Sequence, residues 1–252
     1  MRWTHGPTQE LTAGRYRARF ARTTAELDAA LRLRFEVFNL ELNEGLEASY
    51  ATQRDTDAFD SQCHHLLVFE TSSSQIIGAY RMQTASMACA GSGFYAAGEF
   101  DLQTMPATVL EQSVEIGRAC IDRDHRNTGV LFLLWRGLAL YLQHMRKRYL
   151  FGCCSLTSQD PAEGIQVTDY LAQQGHLHPR LCLPPLPGFE CHAPTVIADR
   201  NIVLPRLFRT YLKYGAKVCS LPAIDRMFKT IDYLVMLDVN DLDPQTLTLF
   251  AP

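Results

Sequence analysis

The chain has no apolar stretch near the ~20 residues that a membrane-spanning helix requires; its longest purely apolar run is VLFLLW at 130–135. The opening MRWTHGPTQE has no apolar core of the kind a secretory signal needs. The expectation is a cytoplasmic protein. Cationic excess is also missing: 24 Lys and Arg stand against 27 Asp and Glu, a net charge of −3. No broad positive field is left for a nucleic acid. Eight cysteines contain no C-x-x-C pair, and several sit inside apolar runs, where a thiol packs as a small hydrophobe. The absence of G-x-S-x-G argues against a hydrolase triad. His176, His178, Cys182, Cys191 and His192 do not fall at usual zinc-ligand intervals, so no metal is expected. No repeat or low-complexity linker divides the 252 residues, 47% of them hydrophobic, which points to one domain over 15–252 behind a flexible leader at 1–14.

What is present is mostly period. The segment 15–21 (RYRARFA) alternates like an edge strand. Thr23 and Glu26 form a capping box ahead of Leu27, Leu31, Phe35, Phe38 and Leu42, which share one helical face. The segment 43–62 is polar, acidic and irregular. Runs of period two at 64–70 and 76–83 flank a Ser-rich turn and predict a hairpin. A short helix and loop are expected at 93–102, a central strand at 109–121 and a long helix at 130–148. A buried strand at 150–156, a helix at 162–174 and a proline-rich irregular segment at 176–194 follow. A helix at 204–214 starts at Pro205 and stops at Gly215, and strands at Val218 and 232–238 close the chain. Strands alternating with helices, with a hairpin near the start, predict an α/β fold: a mixed sheet covered by helices.

Two charges inside the apolar central strand need explaining, because an ionised group without a partner costs several kcal/mol to desolvate. These are Glu115 and Arg118. On a regular strand they point to opposite faces; a structural ion pair and a functional site both remain open. Arg126-Asn-Thr-Gly129 leads into the long helix as Arg-x-x-Gly, a place where helix N–H groups can meet a phosphate. The acidic loop holds Asp55, Asp57 and Asp60 beside His64 and His65. Arg206, Arg209, Lys213 and Lys217 form a basic stripe, either a solvated face or a docking surface for an acidic carrier or an anionic membrane.

In order and spacing, RFEVF (34–38), DTDAFDSQCHHLLVF (55–69), IGAYRM (77–82), GFYAAGEFDL (93–102), EIGRACIDRDHR (115–126), LLWRGLALY (133–141), FGCCSL (151–156) and LPRLFRTYLKYGA (204–216) resemble the GNAT acyltransferase superfamily. The resemblance is closer to its N-acyl amino acid synthase branch, which includes the ornithine-lipid-forming acyl-carrier-protein N-acyltransferases. Arg34, Phe38, Asp57, Asp60, Arg81, Phe100, Glu115 and Arg118 also resemble signature positions of acyl-homoserine-lactone synthases. The resemblance implies a GNAT-like, mostly antiparallel sheet with helices on both faces. It further implies transfer of a long-chain acyl group, with 3-hydroxylation left open, from acyl carrier protein to the α-amine of an amino acid, with ornithine favoured. Glu115 and Arg118 are the implied catalytic pair; Arg34, Asp57, Asp60, Arg81 and Phe100 the acceptor site; Arg126 and Gly129 the phosphopantetheine site. No cofactor is held permanently, and the acyl-phosphopantetheine thioester is a co-substrate. Superfamily members that use coenzyme A typically show Arg-x-x-Gly-x-Gly or Ala, whereas Leu131 stands at the last position here, which favours acyl carrier protein over coenzyme A. The expected partners are acyl carrier protein, the amino acid and the inner-membrane surface. A coenzyme A-dependent acetyltransferase and a silent acyl-binding module are the competing readings.

Overall fold

Thr23 caps the first long helix through its hydroxyl, which accepts from the Glu26 N–H at 3.2 Å, while the Glu26 carboxylate reaches back to the Arg22 N–H at 2.7 Å. The structure is a computed structural model that describes residues 6–193 and 202–250; the start of the expected leader (1–5) and Pro194 of the irregular segment lie outside the described residues. The elements are β1 (Leu11–Ala13), β2 (Tyr16–Phe20), α1 (Thr24–Phe35), α2 (Ser49–Thr52), β3 (His64–Glu70), β4 (Ile76–Thr84), α3 (Ala85–Ala90), α4 (Ala107–Glu111) and β5 (Ser113–Ile121). Then come α5 (Thr128–Met145), β6 (Tyr149–Leu156), α6 (Pro161–Gln173), α7 (Arg206–Lys213), β7 (Lys217–Val218), β8 (Ala223–Asp225), β9 (Thr230–Asp238) and α8 (Pro244–Phe250).

The strands form one sheet in the order β1-β2-β3-β4-β5-β6-β9-β7, with β8 also on β9. Every pairing is antiparallel except β5 with β6. Side-chain alternation splits the core into two layers. Leu66, Val68, Tyr80 and Met82 pack under α5, whereas Leu67, Phe69 and Ala79 pack with Ala30 and Leu33 of α1. Farther along, Cys154, Leu156, Tyr233 and Val235 meet Val167 and Leu171 of α6 and Phe208 and Leu212 of α7. The mixed, mostly antiparallel sheet with helices on both faces is the one expected.

Three local readings change. The leader carries β1, which pairs with β2 and takes the edge position. Residues 109–111 close a helical turn, α4, so the central strand starts at Ser113. Beyond Phe35 the first helix widens into a π-helical turn over Glu36–Glu41, ended by a bond from the Leu42 N–H to the Val37 carbonyl at 3.0 Å.

Candidate active site

Two irregularities in the middle of the sheet build the site. On β5, Gly117 pairs with Arg81 and Cys120 with Ala79, so two residues of β5 stand opposite Tyr80. This is a β-bulge, and Arg118 takes the left-handed conformation within it, at φ 51°. The extra residue reverses the alternation. Glu115 and Arg118 therefore share a face instead of opposing one another, a correction to the regular-strand expectation. Glu115 touches Tyr95 through a backbone bond and Arg118 covers the Tyr95 ring at 4.8 Å.

The second irregularity is a fork. The parallel register of β5 with β6 runs only from Ser113–Tyr149 to Glu115–Phe151, after which the strands part. Gly152 sits at the divergence, where a Cβ would come 2.2 Å from the Ile116 carbonyl oxygen. The gap opens into a cavity of about 550 Å³. Leu131, Leu134, Leu150, Phe208, Tyr211 and Leu237 make its wall apolar under the helices; Tyr95, Glu115, Arg118, Ser155, Thr230 and Asp232 make the other end polar.

Behind Arg118 lies a closed network of three guanidiniums and three carboxylates. Arg34 contacts Asp55 at 2.7 Å and Asp60 at 2.6 Å; Arg81 contacts Asp60 at 2.9 Å and Asp57 at 2.5 Å; Arg118 contacts Asp55 at 3.2 Å and Asp57 at 3.1 Å. Although burial opposes ionisation, the Arg34 and Arg118 charges hold Asp55 below the usual carboxylate range, and Arg34 and Arg81 hold Asp60 there. His65 Nε2–H donates to the Asp60 carbonyl oxygen, 2.9 Å away, and burial lowers its pKa to about 4, leaving it neutral. Of the six, Arg81 and Arg118 line the cavity. Arg34, Asp57 and Asp60, which the resemblance implies as acceptor contacts, are paired within the network and are not among the cavity-lining residues. Phe100 is fully buried in an apolar cluster with Phe151 and Leu234 and is not on the cavity wall.

Glu115 anchors the turn that carries Tyr95. Its Oε2 accepts from Gln83 Nε2 at 2.6 Å and the Tyr95 N–H at 2.9 Å, and its Oε1 from the Ala96 N–H at 2.8 Å. A carboxylate offers about four lone-pair sites, so one remains. Burial pushes its pKa up, against the pull of these donors.

A second acidic group, Glu99 with Asp232, was not singled out in the sequence. The ligand atoms of Glu99, Asp232 and Cys153 lie within 4.8 Å of one another. Burial raises Glu99 well above the usual carboxylate range and also raises Asp232. An acid between apolar neighbours in TIDYLVML was the same signal that drew attention to Glu115.

At the start of α5, Asn127 caps the helix by accepting from the Val130 N–H at 3.0 Å. The Arg126 guanidinium is held by Glu41, with Nη2 at 2.6 Å from Oε2, and its Nε donates to the Ile121 carbonyl at 3.0 Å. Arg126, Asn127 and Leu131 line the cavity, whereas Gly129, in the first turn of α5, is not among its lining residues. On α7, Arg206, Arg209 and Lys213 are exposed and Arg206 lines the cavity, while Lys217 lies on β7 and donates to the Gly175 carbonyl at 2.7 Å. The stripe is thus three residues on the helix and one tied down beyond it.

Burial pushes the Cys63 and Cys120 thiols up to about 12 and raises Cys153 and Cys154 as well. None of these cavity cysteines is poised as a thiolate. No helix among the described residues is long and apolar enough to cross a membrane.

An acetyltransferase (GNAT) domain model matches residues 33–136. The L-ornithine N(alpha)-acyltransferase of Agrobacterium fabrum (strain C58 / ATCC 33970) is 31% identical over 249 residues, covering 91% of this chain and 83% of that protein. The protein of the same name from Brucella abortus (strain 2308) is 28% identical over 255 residues, covering 94% and 89%. Among solved structures, the AHL synthase LasI superposes with a TM-score of 0.50 at 12% identity, over 93% of this chain and 94% of that one, a likeness of fold.

Proposed function

Because this chain belongs to the L-ornithine N(alpha)-acyltransferase family and is built on a GNAT-like sheet, we propose that it moves a long-chain acyl group from an acyl-pantetheine thioester to the α-amine of ornithine, giving a lyso-ornithine lipid. The observation that carries this reading is the forked cavity, apolar at one end and lined by Glu115 and Arg118 at the other. An acyl chain suits the apolar wall, and the thioester carbonyl then lies along β5 beyond Glu115, where β6 no longer pairs. Backbone N–H groups there are suited to stabilise the oxyanion.

The amine attacks the thioester carbon, its lone pair forming the C–N bond. The tetrahedral oxyanion collapses, the C–S bond breaks, and the pantetheine sulfur leaves to be protonated. The neutral cavity cysteines support direct attack without an acyl-enzyme. Arg118, boxed between the Tyr95 ring at 4.8 Å and the Phe228 ring at 4.2 Å, is the partner for the acceptor carboxylate. Glu115 takes the proton lost from the amine at its remaining lone pair.

The donor is acyl carrier protein in this reading. Glu41 already neutralises Arg126, and the bulky Leu131 lines the cavity at the start of α5, so the loop is better matched to the single phosphodiester of a carrier's pantetheine arm than to a diphosphate. The carrier, and beyond it the inner-membrane surface that receives the product, belong to this proposal, as does a cytoplasmic location. Offering long-chain acyl carrier protein or acetyl coenzyme A with ornithine, and weighing products by mass spectrometry, tests it. N-acyl ornithine from the carrier-borne donor is expected; acetyl transfer from coenzyme A alone would replace the reading.

A further inference from the structure

In that reading Arg118 and Glu115 meet the acceptor carboxylate and α-amine, yet the polar end of the cavity also holds Asp232, with Glu99 directly behind it, and neither acid has an ion-pair partner among the described residues. Asp232 is 3% exposed and Glu99 4%. The largest influences on them are burial, each other, Asp225 and nearby hydroxyls. Asp232 Oδ1 and Thr230 Oγ1 are buried without a hydrogen-bond partner among the described residues, and both side chains line the cavity. A buried polar atom left unpaired costs about 1–3 kcal/mol, so the two on one cavity wall favour a ligand that donates to both. β9 places them there: Asp232 stands opposite Ser155 in register, and Thr230 lies on the same side two residues earlier.

We propose that Asp232, with Glu99 and Thr230, receives the distal ammonium of the acceptor and selects a dibasic amino acid over one with an uncharged side chain. The inference rests on the acyl-transfer reading above and adds the group that recognises the side chain. An alkylammonium presents three N–H donors and one positive charge. Asp232 Oδ1, a Glu99 oxygen and Thr230 Oγ1 offer three acceptors. Burial and the neighbouring acid raise both carboxyls, and a cation seated between them relieves that repulsion. A divalent metal is the competing occupant, since Cys153 Sγ lies 3.9 Å from Glu99 Oε2; burial holds that thiol neutral, which disfavours it as a ligand.

The test is calorimetric binding of ornithine and of norvaline, which shares the carbon chain but lacks the δ-amine, to wild type, Asp232→Asn and Glu99→Gln. Wild type is expected to prefer ornithine by about 10–100-fold, the range for a hydrogen bond to a charged group, and the gap is expected to collapse in Asp232→Asn. Glu99→Gln gives the same reading should Asp232→Asn fail to fold. Equal binding of the two amino acids by wild type, or a gap that survives both substitutions, overturns the proposal. So does loss of ornithine binding on chelation with recovery on adding zinc. Turnover separates the remaining role: if Asp232→Asn slows norvaline acylation as much as ornithine acylation, Asp232 acts on the α-amine and not on the side chain. Preferential ornithine binding without acyl transfer would sink the acyltransferase reading while leaving this subsite standing.

Discussion

The proposed reaction gives the Glu115 carboxylate a second task beside the one its hydrogen bonds show. Three donors fix its oxygens and so fix Tyr95 against Arg118, while one lone pair is left for a proton. Glu115→Gln separates the tasks. If the carboxylate is the base, kcat falls by about 100-fold or more, and the limb of the pH profile in which activity rises as the acid deprotonates disappears. Burial raises this pKa, so in wild type that limb lies above the ordinary range of a glutamate. If Glu115 only holds the turn, the loss appears as a higher KM for the acceptor with the limb retained. Circular dichroism of the variant establishes that it folds. The network of Arg34, Arg81 and Arg118 with Asp55, Asp57 and Asp60 is different in kind. Its members pair with each other, and removing one leaves a buried charge unpaired at about 3–5 kcal/mol. Truncations there report on stability first, so a dead Arg34 variant would say little about acceptor binding.

The fork depends on the absence of a side chain at residue 152. Gly152→Ala sets a Cβ against the Ile116 carbonyl oxygen, at 2.2 Å if nothing moves, so β5 and β6 must part earlier. Overpacking of this kind costs about 1–3 kcal/mol, and a lower Tm is expected together with a changed preference for acyl length. An unchanged length profile at reduced Tm would confine Gly152 to stability. Legibility in the sequence also divides at this scale. The capped α1, the β3–β4 hairpin and α5 were readable because period, cap and stop residues agree there. The bulge was not: a left-handed Arg118 after Gly117 leaves the letters of a regular strand. Nor was α4, whose Val109 and Leu110 suit a strand as well as a turn of helix. Glu115 and Arg118 were legible as charges in an apolar run and Arg81 through the resemblance, and all three reach the cavity. Arg34, Asp57 and Asp60 were legible as a set, but their mutual pairing follows from long-range contacts between α1, the acidic loop and β4, which no local spacing encodes.

Across the whole molecule a net charge of −3 is combined with an exposed cationic helix beside the cavity. If the donor is an acidic carrier protein, as proposed, the average charge repels it and α7 attracts it, so the helix would decide where it lands. Reversing Arg209 and Lys213 to Glu tests this without touching Arg206, which lines the cavity, or Lys217, which is tied to Gly175. KM for long-chain acyl carrier protein is expected to rise by about tenfold at low salt, and less as salt screens the charges. The same acyl group on pantetheine alone is expected to be used as before, because a donor without a protein has nothing to dock. A rise for both donors would place the effect in the cavity wall that α7 shares. With neither KM changed, loss of binding to anionic vesicles would assign the stripe to the membrane surface, and no loss there would leave it a solvated face.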